Sequence, residues 1–235
     1  IDSRTLSGER SLACRTREIF VGSGARVEMV ESCRLNERSS LVSASYARQQ
    51  GDSVLHGVSV GLSAGLMRNE QTVLLEGRGA ENHTNGLTIA GEQEHLDFAT
   101  DIEHIASDCT SYQLFKGLAA DGGTSVFSGR IYVAQDAQRT QAFQQNNNLL
   151  LSDDAHVYAK PQLEIYADNV KCSHGATVGQ LDPEAIYYMR QRGIGLEDAR
   201  RLQMYGFVLD VLGESRVEEM NELFDREIAS KIEGL

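Results

Sequence analysis

The chain has 235 residues, 41% of them apolar, and carries a net charge of −12 from 22 Lys and Arg against 34 Asp and Glu. That length allows a sizeable core in one domain or two. The acidic balance excludes a nucleic-acid groove or an anionic membrane surface as the main partner, and no apolar run nears the roughly 20 residues of a membrane helix.

The chain opens on "IDSRTLSGER", with no Met, no capped element and no secretory or transit segment, so it reads as part of a longer protein. Up to about residue 180 the text is rich in Gly, Ser, Thr, Asn and Gln and carries short β-type runs. "REIFVG", "RVEMVE", "SLVSASYA", "VLHGVSVGL", "TVLLEG", "SVFSGRIYVA" and "QLEIYADNV" follow in order. Many alternate apolar and polar residues, the pattern of strands with one buried face. Pro161 and Pro183 are the only prolines.

Turn signals recur before extended segments: "GSGARVEMV" at 22–30, "QGDSVLHGV" at 50–58, "GRGAENHTNGLTI" at 77–89, "AQDAQRTQAF" at 134–143 and "SDDAHVYAKPQLEI" at 152–165. Their spacing is irregular, so no clean repeat emerges. An antiparallel sandwich or barrel and a stacked solenoid both satisfy the pattern. The run Asn146-Asn147-Asn148 leans toward the solenoid, where polar side chains on coil turns bond between coils. "GLAADGG" at 117–123 lacks the lysine and spacing of a phosphate loop and reads as a tight turn between strands.

The last part is helical. Asp182 is an N-cap, Pro183 and Glu184 suit the first turn, and Gly193 ends the helix "PEAIYYMRQR". A second helix spans roughly 196–212. A third starts at Ser215 with Glu218 completing a capping box, and Val217, Met220, Phe224, Ile228 and Ile232 form its apolar stripe. The second helix is apolar on most sides: Leu202, Tyr205, Leu209 and Leu212 make one face, and Met204, Phe207, Val208 and Val211 much of another. Such a helix is either sandwiched between the β part and its own neighbours or partly covered by another protein.

Candidate chemistry is sparse. The four cysteines, Cys14, Cys33, Cys109 and Cys172, are widely spaced, which argues against a disulfide framework or a zinc site and for reduced thiols in a cytosol-like compartment. The six histidines are scattered. Only Cys172 and His174 form a close pair. On a strand, both side chains share a face, and a thiolate beside an imidazole suits iron, zinc or copper(I). Two ligands do not close a site, so the pair is either half of a shared site or an inert Cys and His at the end of the β core.

Four segments carry a family resemblance: "CTSYQLFKG", "NNNLLLSDDA", "KPQLEIYADNVKCSHGATVGQLD" and "RQRGI". From about Ser107 to Gly193 the chain resembles the SufB/SufD family of iron–sulfur cluster assembly proteins. That resemblance implies a mainly β fold, a right-handed parallel β-helix core over residues 1–180 with a C-terminal α-helical subdomain over 181–235. It implies a non-catalytic scaffold that pairs with SufB and binds the ATPase SufC. His174, with Cys172 beside it, would stand at the SufB interface near a nascent cluster, and Met204, Gly206, Phe207 and Val211 would lie in the SufC-binding region. No cofactor is expected on this chain alone, only transient iron or an iron–sulfur cluster in the complex. Without SufB, the β-helix edge is expected to pair with a second copy. The expected compartment is cytoplasmic, or plastidic for a full-length protein with a transit peptide, with neither nucleic acid nor membrane as partner. A purely structural interaction module and a metal-dependent β-fold enzyme remain the alternatives. The family's N-terminal helical region is missing from the sequence.

Overall fold

Gly24, Asp52, Gly79, Asp108 and Arg139 all adopt positive φ, and each sits at the same kind of corner. In the computed structural model, which describes residues 10–212 and 218–235, these corners join strands of one parallel sheet to strands of another. Twelve strands precede three helices: β1 (Leu12–Val21), β2 (Arg26–Arg34), β3 (Ser40–Gln49), β4 (Val54–Ser63), β5 (Leu66–Leu75), β6 (Glu81–Ala90), β7 (His95–His104), β8 (Thr110–Ala119), β9 (Thr124–Val133), β10 (Gln141–Leu150), β11 (His156–Ile165), β12 (Lys171–Gly179), α1 (Pro183–Gln191), α2 (Leu196–Leu212) and α3 (Glu218–Glu233). Odd strands form one six-stranded sheet in the order β1-β3-β5-β7-β9-β11, and even strands the other, ordered from β12 down to β2. The chain is a parallel β-solenoid, as the family resemblance implied and the residue pattern alone left open.

Each coil stacks on the last in close register. Leu12 pairs with Ser40, Ser40 with Leu66, Leu66 with His95, His95 with Thr124 and Thr124 with His156. Four of the five turn echoes mark these corners, and the fifth, at 152–165, marks a corner of the other set, between β10 and β11. Their spacing looked irregular because the two sets of corners were mixed and because the corner between β7 and β8, "IASDC", carries its left-handed residue, Asp108, without the glycine signature. A left-handed Arg139 is a less usual choice. It is held by two bonds from its guanidinium to the Asp108 carboxylate, 2.5 Å and 2.7 Å, and Arg78 adds a third at 2.8 Å. These guanidinium bonds hold the Asp108 carboxyl well below its usual range.

Side chains alternate between the lumen and the outside. Lumen-facing Phe98, Phe115 and Phe127 pack ring on ring, with centroids 5.4 Å and 4.6 Å apart. Polar residues also face inward. Asn146 and Asn148 lie inside β10, where Asn148 Nδ2 donates to Asn146 Oδ1 at 2.7 Å, and they reach the carbonyls of Phe115 and Thr177 on neighbouring coils. The asparagine run does bond between coils, but from the middle of a strand and not from a turn.

His104 is fully buried at the end of β7, its Nε2 within 2.8 Å of Ser111 Oγ. Burial pushes its pKa from 6.5 down to about 4. The folded protein therefore binds fewer protons than the unfolded chain between those values, and stability falls as pH drops through the window. Between pH 7 and pH 5 this group should remove about 2 kcal/mol. Urea unfolding at both pH values checks this: the loss should shrink by that amount in His104→Gln, and an unchanged pH slope would contradict it.

The helices cover half of the even-strand sheet. Asp182 caps α1, accepting a bond from the Glu184 backbone amide at 2.9 Å, and Gly193 ends the turn after it at φ 88°. One apolar cluster joins Val58, Val60, Leu62, Leu87, Ile89 and Leu118 of the sheet to Met204, Val208 and Val211 of α2 and Phe224, Ile228 and Ile232 of α3. Each fully buried side chain of that size contributes about 1.5–3 kcal/mol. The expected α3 stripe is therefore seen at Phe224, Ile228 and Ile232. Ser215 and Val217 lie outside the described residues, and so does the Met220 side chain. Lys116 pins α2 from β8: its Nζ donates to the Phe207 carbonyl at 2.7 Å and to Asp210 at 2.6 Å, beneath the Phe207 ring.

Candidate functional site at the last coil

β12 is the final strand of the even sheet and pairs only with β10, leaving its other edge open. Its register fixes which way its side chains project. Cys172 stands beside Ala142 and His174 beside Gln144, and both neighbours are buried in the lumen. Cys172 and His174 therefore share the inward face, as their spacing predicted. They differ in exposure. Cys172 is half-buried against Ile131, Val133, Ala142 and Ala167. His174 is exposed, because no coil follows to cover that end. Burial raises the Cys172 thiol above its ordinary pKa, so near neutrality it is chiefly the thiol, a poor ligand until something draws off the proton. Burial likewise raises Cys33, to about 11, and Cys109, and all four cysteines are unpaired.

Outside the lumen, the same sheet carries a feature that single-sequence reading missed. His56, His83, Tyr112 and Phe143 occupy one in-register row with centroids 5.2, 5.2 and 5.3 Å apart; His83, Tyr112 and Phe143 stack, and His56 is tilted by 40° against His83. His83 Nε2 lies 2.6 Å from Glu81 Oε1. A groove of about 630 Å³ runs along His83, Tyr112 and Phe143 of this row, and β12 closes its far end with Ser173, His174 and Gly175. Only the coil repeat, about thirty residues long and uneven, could have brought these four rings together on paper. A larger cavity of about 1020 Å³ lies elsewhere, between the other set of corners and the end of α3, where Lys231 bonds Glu94 at 2.6 Å. It holds none of the candidate residues.

The α2 residues divide. Met204 and Val211, 5% and 0% exposed, face the sheet. Phe207 is half-buried over Lys116. Gly206 is exposed, and a Cβ there would meet nothing within 4 Å. Beside it, Leu202 is 53% exposed and Leu209 42%, so residues 202, 206 and 209 make a bare stripe on one helix face. One face of this apolar helix is sandwiched against the sheet, and the other is open to solvent.

Residues 1–207 match the family described as "SUF system FeS cluster assembly, SufBD core domain". The chain belongs to this family. Among its relatives, the iron–sulfur cluster assembly protein SufD of Escherichia coli is 40% identical over 173 residues, 74% of this chain and 41% of that protein. SufD of Bacillus subtilis is 30% identical over 192 residues, 80% of this chain and 44% of that protein. A chloroplastic Arabidopsis thaliana protein, ABCI7, is 31% identical over 196 residues, 83% of this chain and 41% of its own. The chain thus spans about two-fifths of these relatives. Among the described residues, no group of three or more His, Cys, Asp or Glu side chains gathers as a metal site, and no helix is long and apolar enough to cross a membrane.

Proposed function

We propose that this chain is the core of a cytoplasmic, non-catalytic scaffold subunit that pairs with SufB through its last coil and binds the ATPase SufC through α2. Residues 1–180 serve as the β-helix unit and 181–235 as the helical unit. The observation that carries the reading is the placement of His174: exposed, on the inward face of an unpaired terminal strand, with Cys172 two residues away. Iron or a nascent cluster is the cargo there. His174 supplies one imidazole ligand, and SufB supplies thiolate. A single neutral imidazole holds such cargo less permanently than a full set of thiolates. In isolation the same open edge pairs with a second copy.

SufC meets the bare stripe of Leu202, Gly206 and Leu209 beside Phe207, while Met204 and Val211 hold that stripe in place from beneath. A glycine within a helix costs about 1 kcal/mol relative to alanine. Gly206 has no internal neighbour that demands it. Close approach by a partner backbone accounts for the choice.

In the complete complex, His174→Ala is expected to lower cluster assembly at least about tenfold while SufB and SufC stay bound. Unchanged assembly in an intact complex would remove His174 from the chemistry. The raised Cys172 thiol and the lack of a third ligand among the described residues favour a second reading, a purely structural interaction module. Iron analysis of the complex with and without His174 separates the two.

A further inference from the structure

Gln144 presents a physical problem. It is 2% exposed, its side chain lies inside the lumen, and among the described residues neither its Oε1 nor its Nε2 meets a partner. The next inward residue on one side is Gln113, 3% exposed, whose Oε1 accepts a 2.8 Å bond from Thr100 Oγ1 and whose Nε2 is also without a partner. The next inward residue on the other side is His174. Three amide atoms, buried and unpaired, thus stand in one file that ends at the imidazole.

The lumen makes room for this arrangement. Gly129 faces Gln144 from the opposite sheet, and a Cβ on it would lie 2.3 Å from Gln144 Nε2. The glycine lets the amide reach across the lumen. A buried amide without a partner is disfavoured, and buried polar groups are satisfied by protein or by ordered water. Neighbouring strands are about 4.8 Å apart, so one water spans the gap from each member of the file to the next. Two to four polar partners hold such a water, and the file offers that number. The open end of the last coil provides the route in.

We infer that the terminal coils enclose a hydrated chamber, in which water held by the Gln113 and Gln144 amides bonds the His174 imidazole and fixes its tautomer and orientation. Gln144 is then a positioning residue for His174. A ring nitrogen that bonds the chamber water is committed inward, and the other is presented to whatever arrives at the open edge. The chamber concerns this chain alone and does not depend on a metal ever meeting His174.

The test uses the full-length protein. A crystal structure at a resolution that shows water should place ordered molecules within hydrogen-bond distance of Gln144 Oε1 and Nε2 and Gln113 Nε2, one of them bridging to His174. Nitrogen NMR of histidine-labelled protein should show a single His174 tautomer. Gln144→Met keeps the shape and removes the amide. It should release the water, lower the thermal midpoint and move the His174 nitrogens to the averaged pattern of a free imidazole. Gln144→Asn, with one more water filling the gap, should keep the single tautomer. A dry chamber in the parent structure overturns the inference even where Gln144→Met fails to fold. So does a His174 nitrogen pattern that Gln144→Met leaves unmoved. Neither readout measures cluster yield, so loss of the proposed cargo role would not touch this result.

Discussion

Replacing Leu202 and Leu209 together with glutamate should leave the protein folded and lower its affinity for the SufC ATPase by about 100-fold or more. Both side chains already meet solvent, at 53% and 42% exposure, so a carboxylate at either position can stay hydrated in the free protein. Burying the exposed halves of two leucines at an interface is worth about 1.5–3 kcal/mol, stripping water from two carboxylates there adds to the loss, and each 1.4 kcal/mol is a factor of ten. Val211→Glu supplies the contrast. Val211 is fully buried in the cluster with Val208, Phe224 and Ile228. A carboxylate there has no partner and loses its hydration, so α2 and α3 should lift from the sheet. Calorimetric titration with the ATPase, run beside thermal melts, reads both arms. The double variant should bind weakly with a near-parental melting temperature, whereas Val211→Glu should lose both. Parental affinity in the double variant would free the exposed stripe of any role in binding.

How much of this was legible beforehand depends on how local each signal is. The helix start at Asp182-Pro183 and the stop at Gly193 rest on neighbouring residues, and both were readable as capping and chain-reversal chemistry. The strands were readable from alternation, but alternation cannot choose a partner strand. Parallel coils pair Gln141 with both Thr110 and Lys171, residues about thirty positions away on either side. No short motif encodes that choice, and the family resemblance had to make it. The polar lumen was hidden for the same reason. "QAFQQNNNLL" reads as a polar surface strand, yet its Gln144, Asn146 and Asn148 are the buried set, and Phe143 is the one turned outward to stack on Tyr112. In this lumen, Asn146 and Asn148 donate to backbone carbonyls of neighbouring coils, so polarity stops marking the outside. The Cys172–His174 pair was found because its spacing is two. Gln144, its in-register neighbour, could be found only from the register.

The same lumen sets the second large effect. Phe115 is 2% exposed and packs between Phe98 and Phe127, and Gly86 on the adjoining coil is the space its ring fills. A Cβ on Gly86 would lie 2.4 Å from Phe115 Cε1. Phe115→Ala should cost about 3–5 kcal/mol, a large share of the 5–15 kcal/mol that typically holds a domain together. Gly86→Ala alone should cost about 1–3 kcal/mol, because the ring is held between Phe98 and Phe127 and has little room to turn. If the ring and the glycine occupy one space, the two changes are coupled. In the Phe115→Ala background, the methyl of Gly86→Ala enters the cavity left by the ring, so its cost should fall to near zero. Chemical denaturation of the parent, both single variants and the double closes the cycle. Strict additivity would mean that the Phe115 ring does not rest on Gly86. A positive coupling would show that the coils are keyed ring against glycine, so that a side chain on one coil fixes what the next can carry.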